Sequence, residues 1–328
     1  MDAIHPHLGY IIICNYQRAG PGEGACGPVG VNMIGILAPN VFAAVAIAAA
    51  GRIYNDNPPP KGYKLFVSLP RSNPEQQARE FRCGSDGAFT LDGITPGSYQ
   101  LRIVSGRNLA LVIPEVLLDD QPPELELYWP NETDPQKRAD SASQLFAAGK
   151  AALDQGDFQA AVDRFMQAIK TDCASAPLWA AKSLAEAGLK RYDDAVRSGM
   201  MAIRFSPRTD VYWNNLGGVF YRMGRYSEAV RRYERAAELN PDGAGIYMAN
   251  AGAAYVAAGS DEAAANAYAK SVAAQSPPPG TWYHYAECLY RLNRMAEAKA
   301  AFQRYVAAEP NGAYIENANR RISSLGGA

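Results

Sequence analysis

Five large residues in the C-terminal half, Leu145, Trp179, Trp213, Met248 and Trp282, fall 34, 34, 35 and 34 residues apart. Four positions after each stands a small residue: Gly149, Ser183, Gly217, Gly252 and Ala286. Sixteen positions after each stands alanine, at 161, 195, 229, 264 and 298. Twenty after come Phe165, Gly199, Tyr233, Tyr268 and Phe302, and Pro207, Pro241 and Pro310 close three of the units. A period of this length constrains the chain to one supersecondary unit stacked on copies of itself. Each unit reads as two helices, brought close by small residues at two fixed points. Large residues such as Trp213 and Tyr233 fill the space between units. Turns such as MGRY and AGSD separate the helices, and proline stops the second.

This pattern resembles the tetratricopeptide repeat, with its W…LG…Y…A…F…A…P signature, over about residues 142–312. The units run 142–175, 176–209, 210–244, 245–278 and 279–312; the fifth departs in carrying Tyr305 where the others have Ala168, Ala202, Ala236 or Ser271. The segment AYIENANRRISSL, within 313–328, supplies an amphipathic helix to cover the exposed end. The resemblance implies a concave groove lined by the second, fifth, ninth and twelfth positions of each unit. These give Phe146, Lys150 and Leu153, then Ala180 and Leu184, then Val211, Asn214, Gly218 and Tyr221. Ile246, Ala249, Ala253 and Val256 follow from the fourth unit, and Tyr283, Glu287 and Tyr290 from the fifth. Chaperone-binding members of the family grip a C-terminal carboxylate with a basic clamp. Phe146, Val211 and Ile246 stand where that clamp needs Lys or Arg, although Asn215 and Asn250 are present, so carboxylate capture of that type is not expected. A mostly apolar lining suits an amphipathic helix or an extended hydrophobic segment. The competing expectation is that the sandwich or tail of the same chain fills it. On the second helix of the third unit, Glu228 lies at helical spacing from Arg231 and Arg232, as does Arg235 from Glu238, which reads as a solvated outer face.

Ahead of the repeats, residues 51–130 alternate apolar and polar in short runs. In DGAFTLDGITPGSYQLRI, Phe89 and Leu91, then Tyr99, Leu101 and Ile103, mark two half-buried strands between the turn pairs Asp86-Gly87 and Pro96-Gly97. YKLFVSL and ELELYW alternate in the same way, so about seven strands forming a small antiparallel sandwich are expected. The run D-G-x-F-x-L-x-G-I-x-P-G-x-Y-x-L resembles the carboxypeptidase-regulatory-like (transthyretin-like) sandwich, departing from it by the insertion SNPEQQAREF before Cys83. By alternation Phe66 and Tyr128 point away from the inward Leu65, Leu127 and Trp129. Outward aromatics suit either a sugar or a neighbouring domain, and the second is expected. Residues 131–141 read as a polar linker.

Residues 1–50 are nearly uncharged after Glu23. Within them VFAAVAIAAA is too short to span a bilayer but matches a secretory core, with Ala48-Ala49-Ala50 as a cleavage site. The stretch also reads as a first buried strand. Export to the periplasm or surface of a bacterium is the expectation, with the cytoplasm as the alternative. Cys14 and Cys26 can pair if the chain is exported, whereas Cys173 and Cys288 read as small buried thiols.

Chemistry is sparse. Three histidines, no HExxH, no Walker loop and no GxSxG leave no catalytic constellation, and no metal or cofactor is expected. His5 and His7 sit in the N-terminal tail and His284 on a repeat helix, where packing explains it. Asp86 and Asp92 read as turn residues, since the ligand spacing of a calcium loop is missing. A net charge of −1 gives no reason to expect nucleic acid. The expected protein is a sandwich followed by a helical solenoid, acting as a non-enzymatic protein-binding scaffold. The alternative is a carbohydrate- or surface-binding module with the repeats as spacer.

Overall fold

The computed structural model describes residues 47–54, 63–68, 78–84, 86–105, 109–118, 124–129, 134–275 and 277–326. The Cys14/Cys26 pair, His5, His7, residues 41–46 of the apolar stretch and most of the SNPEQQAREF insertion lie outside them.

Among the described residues seven strands form the sandwich: β1 (Ile47–Tyr54), β2 (Tyr63–Ser68), β3 (Arg79–Arg82), β4 (Ala88–Ile94), β5 (Gly97–Ser105), β6 (Leu109–Leu118) and β7 (Leu125–Tyr128). They divide into a three-stranded sheet, β4-β1-β7, and a four-stranded one, β3-β2-β5-β6. Alternation buries Leu65, Val67, Phe89, Leu91, Leu101, Ile103, Leu125 and Leu127 between the sheets. The expected antiparallel arrangement needs one correction: β1 runs parallel to β7, with Ile53 opposite Leu127. Chain order alone does not reveal that pairing, because 70 residues separate β1 from β7. Ala48, Ala49 and Ala50 lie within β1 and pair with β4, so cleavage after them would cut the central strand of that sheet. Asp86 closes the turn into β4 by accepting the amide of Ala88 at 3.1 Å. Gly87, at φ +81°, is required there, since a Cβ would stand 2.2 Å from the carbonyl oxygen of Ile53.

Eleven helices follow among the described residues. Five pairs match the five sequence units: α1 (Pro135–Asp154) with α2 (Phe158–Thr171), α3 (Ala176–Gly188) with α4 (Tyr192–Phe205), α5 (Asp210–Arg222) with α6 (Tyr226–Leu239), α7 (Ala244–Ala257) with α8 (Asp261–Val272), and α9 (Thr281–Arg291) with α10 (Met295–Ala308). The capping helix α11 (Ile315–Ser324) ends the array. The linker assigned to 131–141 is mostly helix: Asp134 accepts the amides of Gln136 and Lys137, and Pro135 follows at the first turn, where its missing N–H costs nothing.

The period has a visible cause. A Cβ on Gly149, Gly217 or Gly252 would come within 3.0 Å of the ring of Phe165, Tyr233 or Tyr268, so each small residue admits the aromatic sixteen positions later. The second unit inverts this arrangement. Gly199 replaces the aromatic, and Leu216 from the next unit and Ser183 fill the space against it. A polar network then ties α3 to α4: Lys182 meets Glu186 at 2.5 Å, Ser198 donates to Glu186 at 2.6 Å, and Ser183 donates to the carbonyl of Ala195 at 2.7 Å. The indole N–H groups of Trp179 and Trp213 each donate six residues back, to Cys173 and Pro207, which pins each unit to the end of the preceding one. The turns inside the units place Gly156, Lys190, Gly224, Gly259 and Asn293 in the left-handed region.

The sandwich does not hang free. β7 meets α2 and β6 meets α4, and one hydrophobic cluster runs from Leu65 and Leu127 through to Ile169, Trp179, Met201 and Phe205. Later units carry their own clusters, one around Leu216, Phe220 and Tyr233 and another around Tyr268, Leu289 and Phe302.

Candidate partner-binding groove

The first helices α1, α3, α5, α7 and α9 carry the groove positions, and the structure treats those positions unequally. Leu184, Val211, Tyr221 and Ile246 are exposed, at 40, 48, 38 and 53 %. They account for most of the large hydrophobic side chains turned outward among the described residues; Val112 and Met295 lie elsewhere. Between them the surface is small and neutral. Gly218, Ala249 and Ala253 are half-buried, and Asn250 donates to Asn214 at 2.8 Å across α5 and α7. Helix α7, AGIYMANAGAAYVA, carries no charge.

The ends differ. Lys150 is exposed, but Phe146 turns its ring toward Phe165 at 5.8 Å, and both Phe146 and Leu153 join the core of the first units. Ala180 is buried. Val256 packs against the cluster of the fifth unit. There α11 and the residue that caps it engage all three candidate residues: Tyr314 stacks on Tyr283 at 4.4 Å, Arg321 forks onto Glu287 at 3.1 and 3.2 Å, and its guanidinium lies 4.0 Å over Tyr290. These three are therefore shared with the cap, a consequence of α11 packing where the first helix of a sixth unit would lie. The sandwich meets α2 and α4, and Tyr128 of β7 also reaches Trp179 of α3.

Two cavities flank the neutral centre. One of about 260 Å3 lies among Ser143, Phe146, Asp172, Ser175, Pro177 and Leu178, at the α1–α3 end. The other, about 420 Å3, lies between α9 and α11. Residues of α11 were not among the sequence candidates; the adjacent Arg320-Arg321 pair was the available signal.

Burial pushes the Cys173 thiol up to about 12 and Cys288 up to about 11, so neither offers a thiolate at neutral pH. His284 sits among the rings of Tyr268, Tyr283 and Tyr314. The outward aromatics of the sandwich are half-buried: Tyr128 lies 6.3 Å from the Trp179 ring and Arg102 lies 4.8 Å over Phe66. The arginines of the third unit also pair differently from the sequence expectation. Glu228 takes Arg225 at 2.7 Å, whereas Arg232 lies over Trp213 and Phe220, because the indole offers a closer apolar face. Arg235 meets Glu238 as expected, at 2.7 Å. Among the described residues no group of three or more His, Cys, Asp or Glu is placed to hold a metal ion, and no helix is long and apolar enough to cross a membrane.

Three family models described as tetratricopeptide repeat match residues 146–207, 208–276 and 281–312, in register with the helix pairs. The helical region is an array of tetratricopeptide repeats. Over 137 residues the chain is 29 % identical to a small glutamine-rich tetratricopeptide repeat-containing protein 2 of Saccharomyces cerevisiae, covering 42 % of this chain and 39 % of that one. It is 27 % identical to the Hsp70-Hsp90 organizing protein of Triticum aestivum, covering 43 % of this chain and 24 % of the relative. The chain thus spans about two fifths or less of the length of these curated relatives. A solved structure of Pseudomonas aeruginosa pilF shares 20 % identity at a TM-score of 0.48, covering 58 % of this chain and 90 % of that one.

Proposed function

We propose that the protein is a non-enzymatic scaffold whose tetratricopeptide groove captures a helical or extended apolar segment of a partner protein. The observation that carries this reading is the exposed row Leu184, Val211, Tyr221 and Ile246, set on successive first helices around a small, uncharged centre. Side chains of this kind lose exposed apolar area only when something covers them, and burying each is worth about 1.5–3 kcal/mol. Small residues between them leave room for a partner backbone to approach. The tetratricopeptide relatives support the scaffold reading, one of them being named for organizing two other proteins. The β4–β5 motif supports placing the sandwich with the carboxypeptidase-regulatory-like domains, in the role of a buttress for the first two units.

The test begins with a displayed library of amphipathic peptides selected against the full chain. Selected peptides should lose at least about tenfold in affinity when Val211→Asp and Ile246→Asp are combined, with helical content unchanged by circular dichroism. Undiminished binding to that double variant would remove the groove from the account.

A further inference from the structure

The two ends of the groove are electrostatically unlike. The cavity of about 420 Å3 is lined by Tyr283 and Glu287 of α9 and by Asn317, Arg320, Arg321 and Ser324 of α11. It therefore holds two cations against one anion. Glu287 is occupied, since both its oxygens accept from Arg321, which is further held over the ring of Tyr290. Arg320 is exposed, bonds only to the side-chain oxygen of Asn317, and makes no ion pair among the described residues. At the opposite end, the charged residue lining the smaller cavity is Asp172. Helix α7 carries no charge in between.

We propose that the α9–α11 cavity takes a carboxylate of the bound segment, so that an apolar partner docks with its acidic end against α11. This rests on the groove reading above and gives it a direction. A carboxylate there meets the Arg320 guanidinium, in the planar two-pronged geometry that arginine offers. The amide of Asn317 stands beside it as a further donor, while Ser324 already donates its hydroxyl to the carbonyl of Arg321. In the cavity at the α1–α3 end the same carboxylate would face Asp172, with the exposed Lys150 of α1 outside that lining. Charge placed this way sets orientation and register more than total affinity. Arg321 supplies the frame, not the free charge: held by Glu287 and Tyr290, it fixes α11 and thereby the position of Arg320.

Three fluorescein-labelled Leu/Ala amphipathic peptides of about 16 residues test this on the full chain by fluorescence anisotropy at low salt. One carries Glu near an amidated C-terminus, one carries Gln with a free terminal carboxylate, and one carries Gln with an amide. At least one carboxylate peptide should bind about fivefold or more tighter than the neutral one, and which of them does so separates a side-chain carboxylate from a chain end. Arg320→Gln should abolish that advantage without altering affinity for the neutral peptide. Arg320→Glu should transfer the advantage to a Lys-bearing version. A photo-crosslinker beside the carboxylate should label α9 or α11. Equal binding of all three peptides to the wild-type chain, or labelling at α1 and α3, would overturn the proposal while leaving the groove reading intact. Failure of all three to bind would remove both.

Discussion

Gly217 and Gly218 are neighbours on one helix turn, yet a methyl group added to them should act in opposite directions. A Cβ at Gly217 would stand 2.6 and 2.8 Å from two ring carbons of Tyr233, while one at Gly218 would meet only the Tyr233 hydroxyl, at 3.9 Å. Tyr233 is 5 % exposed and cannot swing away without disturbing Leu216 and Phe220 in the same cluster. Both substitutions to alanine gain the same helix preference, about 1 kcal/mol. Overpacking a closed site costs about 1–3 kcal/mol, and only Gly217→Ala incurs it. Gly218→Ala should therefore stabilise the third unit by about 1 kcal/mol, and Gly217→Ala should lie about 1–3 kcal/mol below it. Urea unfolding followed by circular dichroism measures the difference under identical conditions. Hydrogen exchange at α5 and α6 confirms that it is local, since repeat arrays unfold unit by unit. Removing the ring with Tyr233→Leu should relieve much of the Gly217→Ala penalty, a coupling expected between residues in contact. Equal shifts in the two single variants would show that the small residue at this position does not exist to admit the ring.

Lys190 holds φ at 59° in the turn where three other units use glycine, so Lys190→Gly should raise stability by about 0.5–1 kcal/mol in thermal or chemical unfolding. Asn293, at the equivalent turn and at φ 60°, tolerates that conformation better and should gain less from the same change. His284 gives the fifth unit a pH dependence. Burial holds its pKa below the ordinary value, with Glu287 opposing and Arg291 assisting. The unfolded chain then binds the proton first as pH falls below about 6.5, and stability drops through that window until folded His284 itself titrates. Protection factors of amides in α9 and α11, corrected for the intrinsic pH dependence of exchange, should fall between about pH 7 and pH 5.5, and His284→Phe should flatten that response.

The helical half was legible because each signature residue answers to a contact inside one unit or across one seam. The small residue at one position and the ring sixteen later touch each other, so both recur. Where the contact partner changed, the reading weakened: Gly199 breaks the pattern, and the chain alone does not reveal that Leu216 fills its place. Alternation located β4 and β5, but the parallel pairing of β1 with β7 depends on residues far apart in sequence. The candidate groove positions came from the family resemblance, whereas the cavity at α11 did not. It exists only because the last helix folds back beside α9, bringing Arg321 to Glu287 across 34 residues. Arginine pairing was misread through helix spacing, which ignores the indole of Trp213 reaching Arg232 from a neighbouring helix.

The single cluster that joins the sandwich to the first two repeats gives the protein an anchored end and an extensible one. A unit duplicated or deleted among the last three would remake only the seams on either side, as their separate clusters allow. Loss of the first or second unit would instead strip β6 and β7 of their seat on α4 and α2. The length of the repeat array can thus change over evolution, or in an engineered chain, by simple repeat copying, with the β domain and its junction inherited unaltered.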